Sequence, residues 1–425
     1  MTDGVGRVIG HQHTSTREFR VILDETSYLQ LDDLVVVTTA VPGAGEVRTY
    51  GIVTEAESLL EGASYESDTL RIAAEGSMPG ALVRSARVAI TRVDPELWVA
   101  PDPGGVVERA SGEERRKALY ADEMDRPLPV GLGRDGEPVP VDLDFFDGRK
   151  GGHMSISGIS GVATKTSFAL FFLRMLTARR DIVGDAAENL RVIVFNVKGE
   201  DLLWLDKPNR FFTERAAAEW SRLGVEPGPF PSVSIWAPPR AKSGDVVVPD
   251  IGGRQDVSVF AWTPREFVDE ALLRFLFTDT GDTRSQVAFI AERVEAQLRR
   301  WAVDVAGEPG AIVLRDPREG HRRGEAVQPT GGERVIRSLH DLVASIEEFV
   351  DPIDDEPLGS WTGRVLPGTA SAFMRRLHAA EHRLGQLIQV GDSRRIDRSK
   401  AQVTVVGIQS LHDLGQRFVV GALLK

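Results

Sequence analysis

The 425-residue sequence contains no cysteine. This absence excludes disulfide bonds, thiolate metal sites and cysteine nucleophiles, and it fits a reducing compartment such as the cytoplasm. No apolar run approaches the roughly 20 residues that cross a bilayer. The first residues also lack the basic segment and apolar core of a signal peptide. We therefore predict a soluble, cytoplasmic protein with no membrane segment.

The chain has fewer basic than acidic residues: 51 Lys and Arg against 63 Asp and Glu, which gives a net charge of −12. This balance argues against a protein coated in nucleic acid. A locally basic pore stays open as an alternative, since local fields rather than the total charge steer ligands. The length allows two or three domains.

The first hundred residues have the composition of a small β-structure. Val, Ile and Thr concentrate in short runs, and turn signals such as Asp32-Asp33 separate them. The predicted strands are residues 5–9, 18–23, 34–39, 48–54 and 82–93. Five or six strands at this spacing favour a closed barrel, which removes exposed sheet edges. We therefore predict an all-β barrel over residues 1–100.

The rest of the chain alternates between buried-strand and helix patterns. Residues 101–150 predict a linker and a strand that leads into the next domain. Residues 151–262 predict the first part of an α/β core. Residues 263–390 predict an inserted helical bundle, and residues 391–425 predict an incomplete return to the core. The Pro/Gly-rich and charged stretches 307–332 and 351–368 predict loops.

Two local signals are more specific. Thr263-Pro264-Arg265-Glu266 has the pattern of a capping box with proline in the first helical turn. The run RVIVFNV at residues 191–197 is continuously apolar, as in a buried parallel strand. Ligands of parallel α/β sheets bind at the carboxyl ends of the strands. The polar residues 198–201 are therefore candidates for a site.

The stretch HMSISGISGVATKTSFALFFLRMLTARR, residues 153–180, predicts a short strand, a loop of small residues and a long helix. Backbone N–H groups at a helix N-terminus bind anions, a lysine there reaches terminal phosphates, and the next hydroxyl holds Mg²⁺. The usual G-x-x-x-x-G-K-[ST] pattern is not met. Gly158 lies seven residues before Lys165, and Thr164 replaces the last glycine. An ordinary strand–loop–helix turn is the alternative interpretation.

A phosphate loop also needs an acidic residue near the end of an apolar strand, to hold Mg²⁺ and polarise water. Glu200, which follows RVIVFNVKG, is the best candidate. A solvated turn carboxylate is the alternative. The strand predicted at residues 403–408 carries Gly407 where an aspartate is expected.

The combination of GISGVATKT, VIVFNVKGEDLLWLD and VTVVGIQSLHDLGQRFVVG resembles the HerA-type ATPases of the HerA–FtsK branch. The resemblance covers nearly the whole chain, and Lys198 takes the place of a histidine in the family's His-Gly-Glu signature. It implies an α/β RecA-like P-loop core with an N-terminal all-β barrel and an inserted helical bundle. It also implies ATP and Mg²⁺ as cofactors.

The resemblance implies roles for individual residues. Lys165 contacts the β- and γ-phosphates, Thr166 is the Mg²⁺ ligand, and Glu200 lies near the γ-phosphate. The residues that would cradle the phosphates are Gly158, Ser160, Gly161, Val162, Ala163, Thr164 and Ser167. Members of the family form homo-hexameric rings that translocate double-stranded DNA. They often act with a nuclease or another effector in DNA processing or anti-phage defence.

This chain departs from the family pattern in two ways, and these departures leave alternative functions open. Relatives show Asp where this chain has Gly407, and their Asp-Glu strand lies beyond the position where this sequence ends. If the 425 residues are the whole polypeptide, we expect nucleotide binding with poor hydrolysis. A non-catalytic ring scaffold for a partner enzyme and a small-molecule kinase are the alternative functions. Arginines that could line a pore, or form solvated faces, are Arg375, Arg376, Arg394, Arg395 and Arg398.

Overall fold

The computed structural model describes residues 4–11, 14–148, 152–158, 164–241, 247–251, 253–277, 286–319, 325–350, 361–362, 365, 367–391 and 395–425. The chain forms two compact units. The first unit contains residues 1–187 and 218–226, and the second contains residues 188–217 and 227–425. Each unit is described by itself below.

The first unit begins with a closed antiparallel barrel of six strands, in the order β1-β2-β5-β4-β3-β6. The strands are β1 (Gly6–Val8), β2 (Glu18–Leu23), β3 (Leu34–Val41), β4 (Gly45–Glu61), β5 (Ala81–Asp94) and β6 (Val106–Arg109). Pairing of β6 with both β1 and β3 closes the barrel. The predicted barrel is therefore confirmed, but it extends to Arg109 rather than ending near residue 100.

Alternating apolar residues fill the inside of this barrel, as the two-residue period of a strand requires. Phe19, Val21, Val35, Val37 and Val88 are buried together in its core. A helix, α1 (Glu66–Ala73), lies between β4 and β5 in the chain. A second, α2 (Gly112–Ala118), follows the last barrel strand.

The remainder of the first unit is a hairpin with a helix packed on it. The strands β7 (Pro127–Leu132) and β8 (Pro138–Asp142) pair as an antiparallel hairpin within the stretch predicted as a linker and one strand. The helices that follow are α3 (Thr164–Ala178), α4 (Arg180–Val183) and α5 (Ala186–Asn189), the last of which crosses into the second unit. Leu128, Leu143, Phe172 and Met175 form one buried cluster, which anchors α3 to the hairpin.

The second unit contains a parallel sheet of four strands in the order β13-β10-β16-β9. These strands are β9 (Val192–Asn196), β10 (Val233–Ala237), β13 (Ser258–Val259) and β16 (Val403–Gly407). Two further strands, β11 (Pro239–Ala241) and β12 (Val247–Pro249), pair with each other. The helix α6 (Glu214–Arg222) spans the boundary between the units.

Helices lie between β13 and β16 in the chain and continue after β16. They are α7 (Pro264–Asp269), α8 (Gln286–Trp301), α9 (Leu339–Val350), α10 (Pro367–Leu384) and α11 (Asp413–Leu424). Their apolar faces share one buried cluster with Trp236 of β10 and Val406 of β16. The predicted capping box is confirmed. The N–H of Glu266 donates to Thr263 Oγ1 over 3.1 Å, and the N–H of Thr263 donates to Glu266 Oε2 over 2.8 Å.

Part of the stretch predicted as a loop at residues 307–332 is ordered as a hairpin. Its strands are β14 (Ala302–Asp304) and β15 (Ile312–Leu314). Val305, Ala311 and Val313 bury their side chains there. Three-residue strands between glycine, proline and charged residues give too short a pattern for sequence analysis to detect. The loop predicted at residues 351–368 falls largely outside the described residues.

Candidate functional site

The segment that leads to the phosphate-loop candidate is not a strand. Residues 152–158 have no regular secondary structure. Met154 and Ile156 alternate with polar residues, which explains the strand prediction. Here, however, the two side chains line a cavity with Phe146 and Phe168 rather than one face of a sheet. The predicted strand at the start of this stretch is therefore wrong.

The helix α3 begins at Thr164, immediately before Lys165. The Lys165 ammonium donates a hydrogen bond to the Gly158 carbonyl oxygen over 3.0 Å. The side chains of Thr166 and Ser167 are exposed in the first turn of the helix. The structure therefore brings together Gly158 and Lys165, two of the predicted site residues. The predicted cradle residues Ser160, Gly161, Val162 and Ala163 lie outside the described residues.

A cavity of about 580 Å³ lies beside Lys165. Its lining comprises residues 153–157, Lys165, Phe146 and Phe168. This volume is within the range of small-molecule sites. The lining combines one cation and the hydroxyls of Ser155 and Ser157 with an apolar wall. Such a lining can hold an anionic group at Lys165 and an apolar group against the two phenylalanines.

A close backbone approach at Gly152 lies one residue before His153, which lines the cavity. A Cβ atom at this position would lie 1.6 Å from the Phe145 carbonyl oxygen, so only glycine fits. The adjacent turn is held by Arg126, whose guanidinium donates to Asp144 over 2.5 Å and also pairs with Asp147. Hydrogen bonding to Asp147, and then to Asp144, raises the pKa of Arg126. These contacts position residues 143–147 next to the cavity.

Glu200 lies beyond the carboxyl end of β9, in the second unit. The side-chain amide of Asn196, the last residue of β9, donates to the Gly199 carbonyl oxygen over 2.9 Å. Gly199 has φ of +71°, a left-handed conformation that favours glycine. The Glu200 carbonyl oxygen accepts a hydrogen bond from the N–H of Leu203, and the Glu200 side chain is exposed. The turn therefore presents the Glu200 carboxylate to solvent at the strand end.

Two residues at this strand end were not identified from the sequence. Asn196 is fully buried, and its amide also contacts Gln409 Oε1 at 3.5 Å. Gln409 follows β16, the neighbouring parallel strand, in which Gly407 pairs with Asn196. Asn196 Oδ1 has no hydrogen-bond partner among the described residues. The detectable signal was a polar residue that ends a continuously apolar strand.

The chain after Glu200 is anchored by Arg254. Its guanidinium donates to both carboxylate oxygens of Asp206 over 2.7 Å each and to both oxygens of Asp256 over 2.8 Å each. It also donates to the Leu203 carbonyl and lies over the Trp204 ring, 5.3 Å from its centroid. Arg254 is buried, with 7% of its surface exposed. This ion-pair network fixes the backbone from Leu203 to Asp206.

Of the arginines proposed to line a pore, Arg395 and Arg398 line one cavity of the second unit, together with Lys400. Arg395 pairs with Glu270 and lies 3.7 Å from Glu266, and Arg398 donates to the Leu423 carbonyl over 3.2 Å. Arg375 and Arg376 are exposed on α10, and Arg394 lies outside the described residues. That these arginines line a pore stays a prediction.

Lys165 belongs to the first unit and Glu200 to the second, so the prediction that they face one site stays a prediction.

Within the described ranges, no group of three or more His, Asp or Glu side chains is arranged to hold a metal. The helices in those ranges are too short or too polar to cross a lipid bilayer. Comparison of the sequence with known protein families and with curated proteins finds no match.

Proposed function

We propose that this chain binds ATP with Mg²⁺ at the cavity beside Lys165, and that it is a HerA-like motor that acts on double-stranded DNA. The proposal includes a RecA-like arrangement of the α/β core, assembly into a homo-hexameric ring and action with a nuclease or another effector protein. Support comes from the cavity lining, from the sheet and barrel, and from the sequence resemblance.

The observation that carries nucleotide binding is the contact between Lys165 and Gly158. The ammonium lies at the start of a helix of 15 residues and donates a hydrogen bond to a loop carbonyl oxygen. A phosphate oxygen in the same place forms a stronger, charge-assisted hydrogen bond. The N-terminus of α3 adds a favourable partial positive charge. Both terms favour a polyphosphate over a neutral ligand.

The residues near Lys165 fit a magnesium complex of ATP. Thr166 offers a hydroxyl one residue after Lys165, where it can ligate the ion that bridges the phosphates. Bound Mg²⁺ would neutralise charge on the phosphate oxygens. Glu200 would accept a hydrogen bond from the attacking water in the proposed core. Asn196 and Gln409 would orient the backbone turn that carries Glu200.

A second candidate function is a nucleotide-binding ring scaffold without hydrolysis. The observation that favours it is the end of β16, where Gly407 is buried against Ile251 and Gln409. Residues 403–409 contain no carboxylate. Glu200 is then the one acid proposed to polarise water, and loss of a metal-polarising carboxylate slows phosphoryl transfer by orders of magnitude.

Turnover by the purified full chain distinguishes the motor from the scaffold. Release of phosphate from ATP is measured with and without double-stranded DNA, for the wild type, Lys165→Ala and Glu200→Gln. A motor predicts DNA-stimulated turnover that both substitutions abolish. Turnover at background level in the wild type, together with ATP binding that requires Lys165, assigns the scaffold instead. Turnover that survives Lys165→Ala contradicts both functions.

A further inference from the structure

A short turn in the second unit carries two exposed phenylalanines and two exposed cations. We name residues 207–213, KPNRFFT, the aromatic turn. All seven residues are exposed, and Phe211 and Phe212 expose 85% and 45% of their surface. The turn contains Lys207 and Arg210 and no acidic residue, in a chain with a net charge of −12.

The exposure of Phe211 is built into an ordered backbone. The N–H of Phe211 donates to Asn209 Oδ1 over 2.9 Å, and the N–H of Phe212 donates to the Asn209 carbonyl over 3.2 Å. After the turn, Thr213 Oγ1 accepts from the N–H of Ala216 over 3.2 Å and caps α6. Before it, Asp206 is held by the buried Arg254. Both ends of the turn are therefore fixed, and Phe211 projects from it.

The charges beside Phe211 indicate the chemistry of a partner. Lys207 lies 3.2 Å from Asp206, but the carboxylate of Asp206 already accepts two hydrogen bonds from Arg254. Arg210 has no ion-pair partner among the described residues. An exposed aromatic ring that follows two cations in one short, fixed turn can stack on a nucleobase while the cations contact nearby phosphates.

We propose that the aromatic turn is a DNA contact of this chain. Phe211 stacks on an unpaired base, and Lys207 and Arg210 bind nearby phosphates. The choice of DNA as the polyanion rests on the proposed function. Stacking needs an accessible base face, so the turn binds single-stranded or locally opened DNA more tightly than an intact duplex.

The test measures equilibrium binding of the full chain, without nucleotide, to a labelled 30-nucleotide single strand and to the corresponding duplex by fluorescence anisotropy. Phe211→Ala is expected to weaken single-strand binding about tenfold, because one base loses its stacking partner. Tyr65→Ala removes an aromatic ring that is 77% exposed in the first unit and is expected to leave the affinity unchanged. Because both side chains are exposed, neither substitution is expected to disturb folding.

The charges are tested by salt dependence. The double variant Lys207→Ala/Arg210→Ala is expected to reduce the slope of log affinity against log salt by about 1.4, at about 0.7 per phosphate contact. Arg318→Ala, at a position 85% exposed, is the control and leaves the slope unchanged. Wild-type affinity in Phe211→Ala, or an unchanged slope in the double variant, overturns the proposal. A wild-type chain that binds ATP but binds neither the single strand nor the duplex also overturns the proposed DNA contact. That result leaves the proposed nucleotide site standing.

Discussion

Arg254 and Asp206 form a bidentate ion pair in which two guanidinium nitrogens each lie 2.7 Å from one carboxylate oxygen. The arginine side chain is almost completely buried, and the aspartate side chain is 22% exposed. Hydrogen bonding to Arg254 lowers the pKa of Asp206 to about 2 and raises the pKa of Arg254. The pair connects the backbone after Glu200 with the aromatic turn. The proposed roles of Glu200 in the nucleotide site and of the aromatic turn in DNA binding therefore both depend on it.

Removal of the buried cation is expected to destabilise the second unit strongly. Arg254→Ala removes the bidentate partner of Asp206 and leaves it only the exposed Lys207 at 3.2 Å. Breaking a buried pair costs about 3–5 kcal/mol. Arg240→Ala is the control, since Arg240 is 62% exposed and lies 3.5 Å from Asp250; it should cost under about 1 kcal/mol. Urea denaturation followed by tryptophan fluorescence gives both values. Equal losses for the two variants would show that burial of Arg254 contributes nothing.

The same pair predicts a loss of stability in acid. The folded pKa of Asp206 is below its unfolded value near 3.9, so its contribution is complete above pH 4 and is lost as the pH falls through 2. The contribution is about 2 kcal/mol. The free energy of unfolding of the wild type, measured from pH 5 to pH 2, should therefore fall more steeply than that of Asp206→Asn. Parallel curves would contradict the assigned pKa.

A side chain at Gly152 is expected to displace the backbone beside the cavity. Gly152→Ala places a methyl group on the Phe145 carbonyl, and overpacking of this kind costs about 1–3 kcal/mol. Gly131→Ala, in β7, has no atom within 4 Å of the new methyl group and serves as the matched control. Thermal unfolding measures the two effects. Equal midpoints would mean that the approach of Gly152 to Phe145 is not needed.

The capping box at α7 is expected to contribute a typical cap energy. Thr263→Ala removes the acceptor for the N–H of Glu266 and should cost about 1 kcal/mol. Thr263→Ser keeps the hydroxyl and should restore most of the loss. Denaturation midpoints at constant slope measure the difference. A serine variant as unstable as the alanine variant would assign the effect to the threonine methyl group instead.

Sequence patterns predicted the elements whose signals are local and strong. The barrel strands, the buried strands β9 and β16 and the capping box at Thr263 follow from side-chain period, β-branched composition and cap chemistry. The sixth barrel strand at Val106–Arg109 was assigned to a linker, because four residues beside the Pro101-Asp102-Pro103 segment carry too little pattern. Its pairing with β1 and β3 is a non-local interaction that no short window contains.

The candidate site was predictable in part. Lys165 and its position at the start of a helix followed from the small-residue loop and the long apolar run after it. The absent strand at residues 152–158 could not be foreseen, since alternation of Met154 and Ile156 fits a strand and a cavity wall equally. Asn196 and Gln409 were missed because their contact joins residues 213 positions apart.

The affinity of the full chain for Mg-ATP tests the central claim most directly. Isothermal titration calorimetry is carried out on the wild type, on Lys165→Ala and on the exposed-lysine control Lys400→Ala. Loss of a charge-assisted hydrogen bond to phosphate predicts that Lys165→Ala binds Mg-ATP at least about tenfold more weakly than the wild type. The control Lys400→Ala is expected to bind Mg-ATP with wild-type affinity. Wild-type affinity in Lys165→Ala, or no binding of Mg-ATP by the wild type, would contradict a nucleotide site at Lys165.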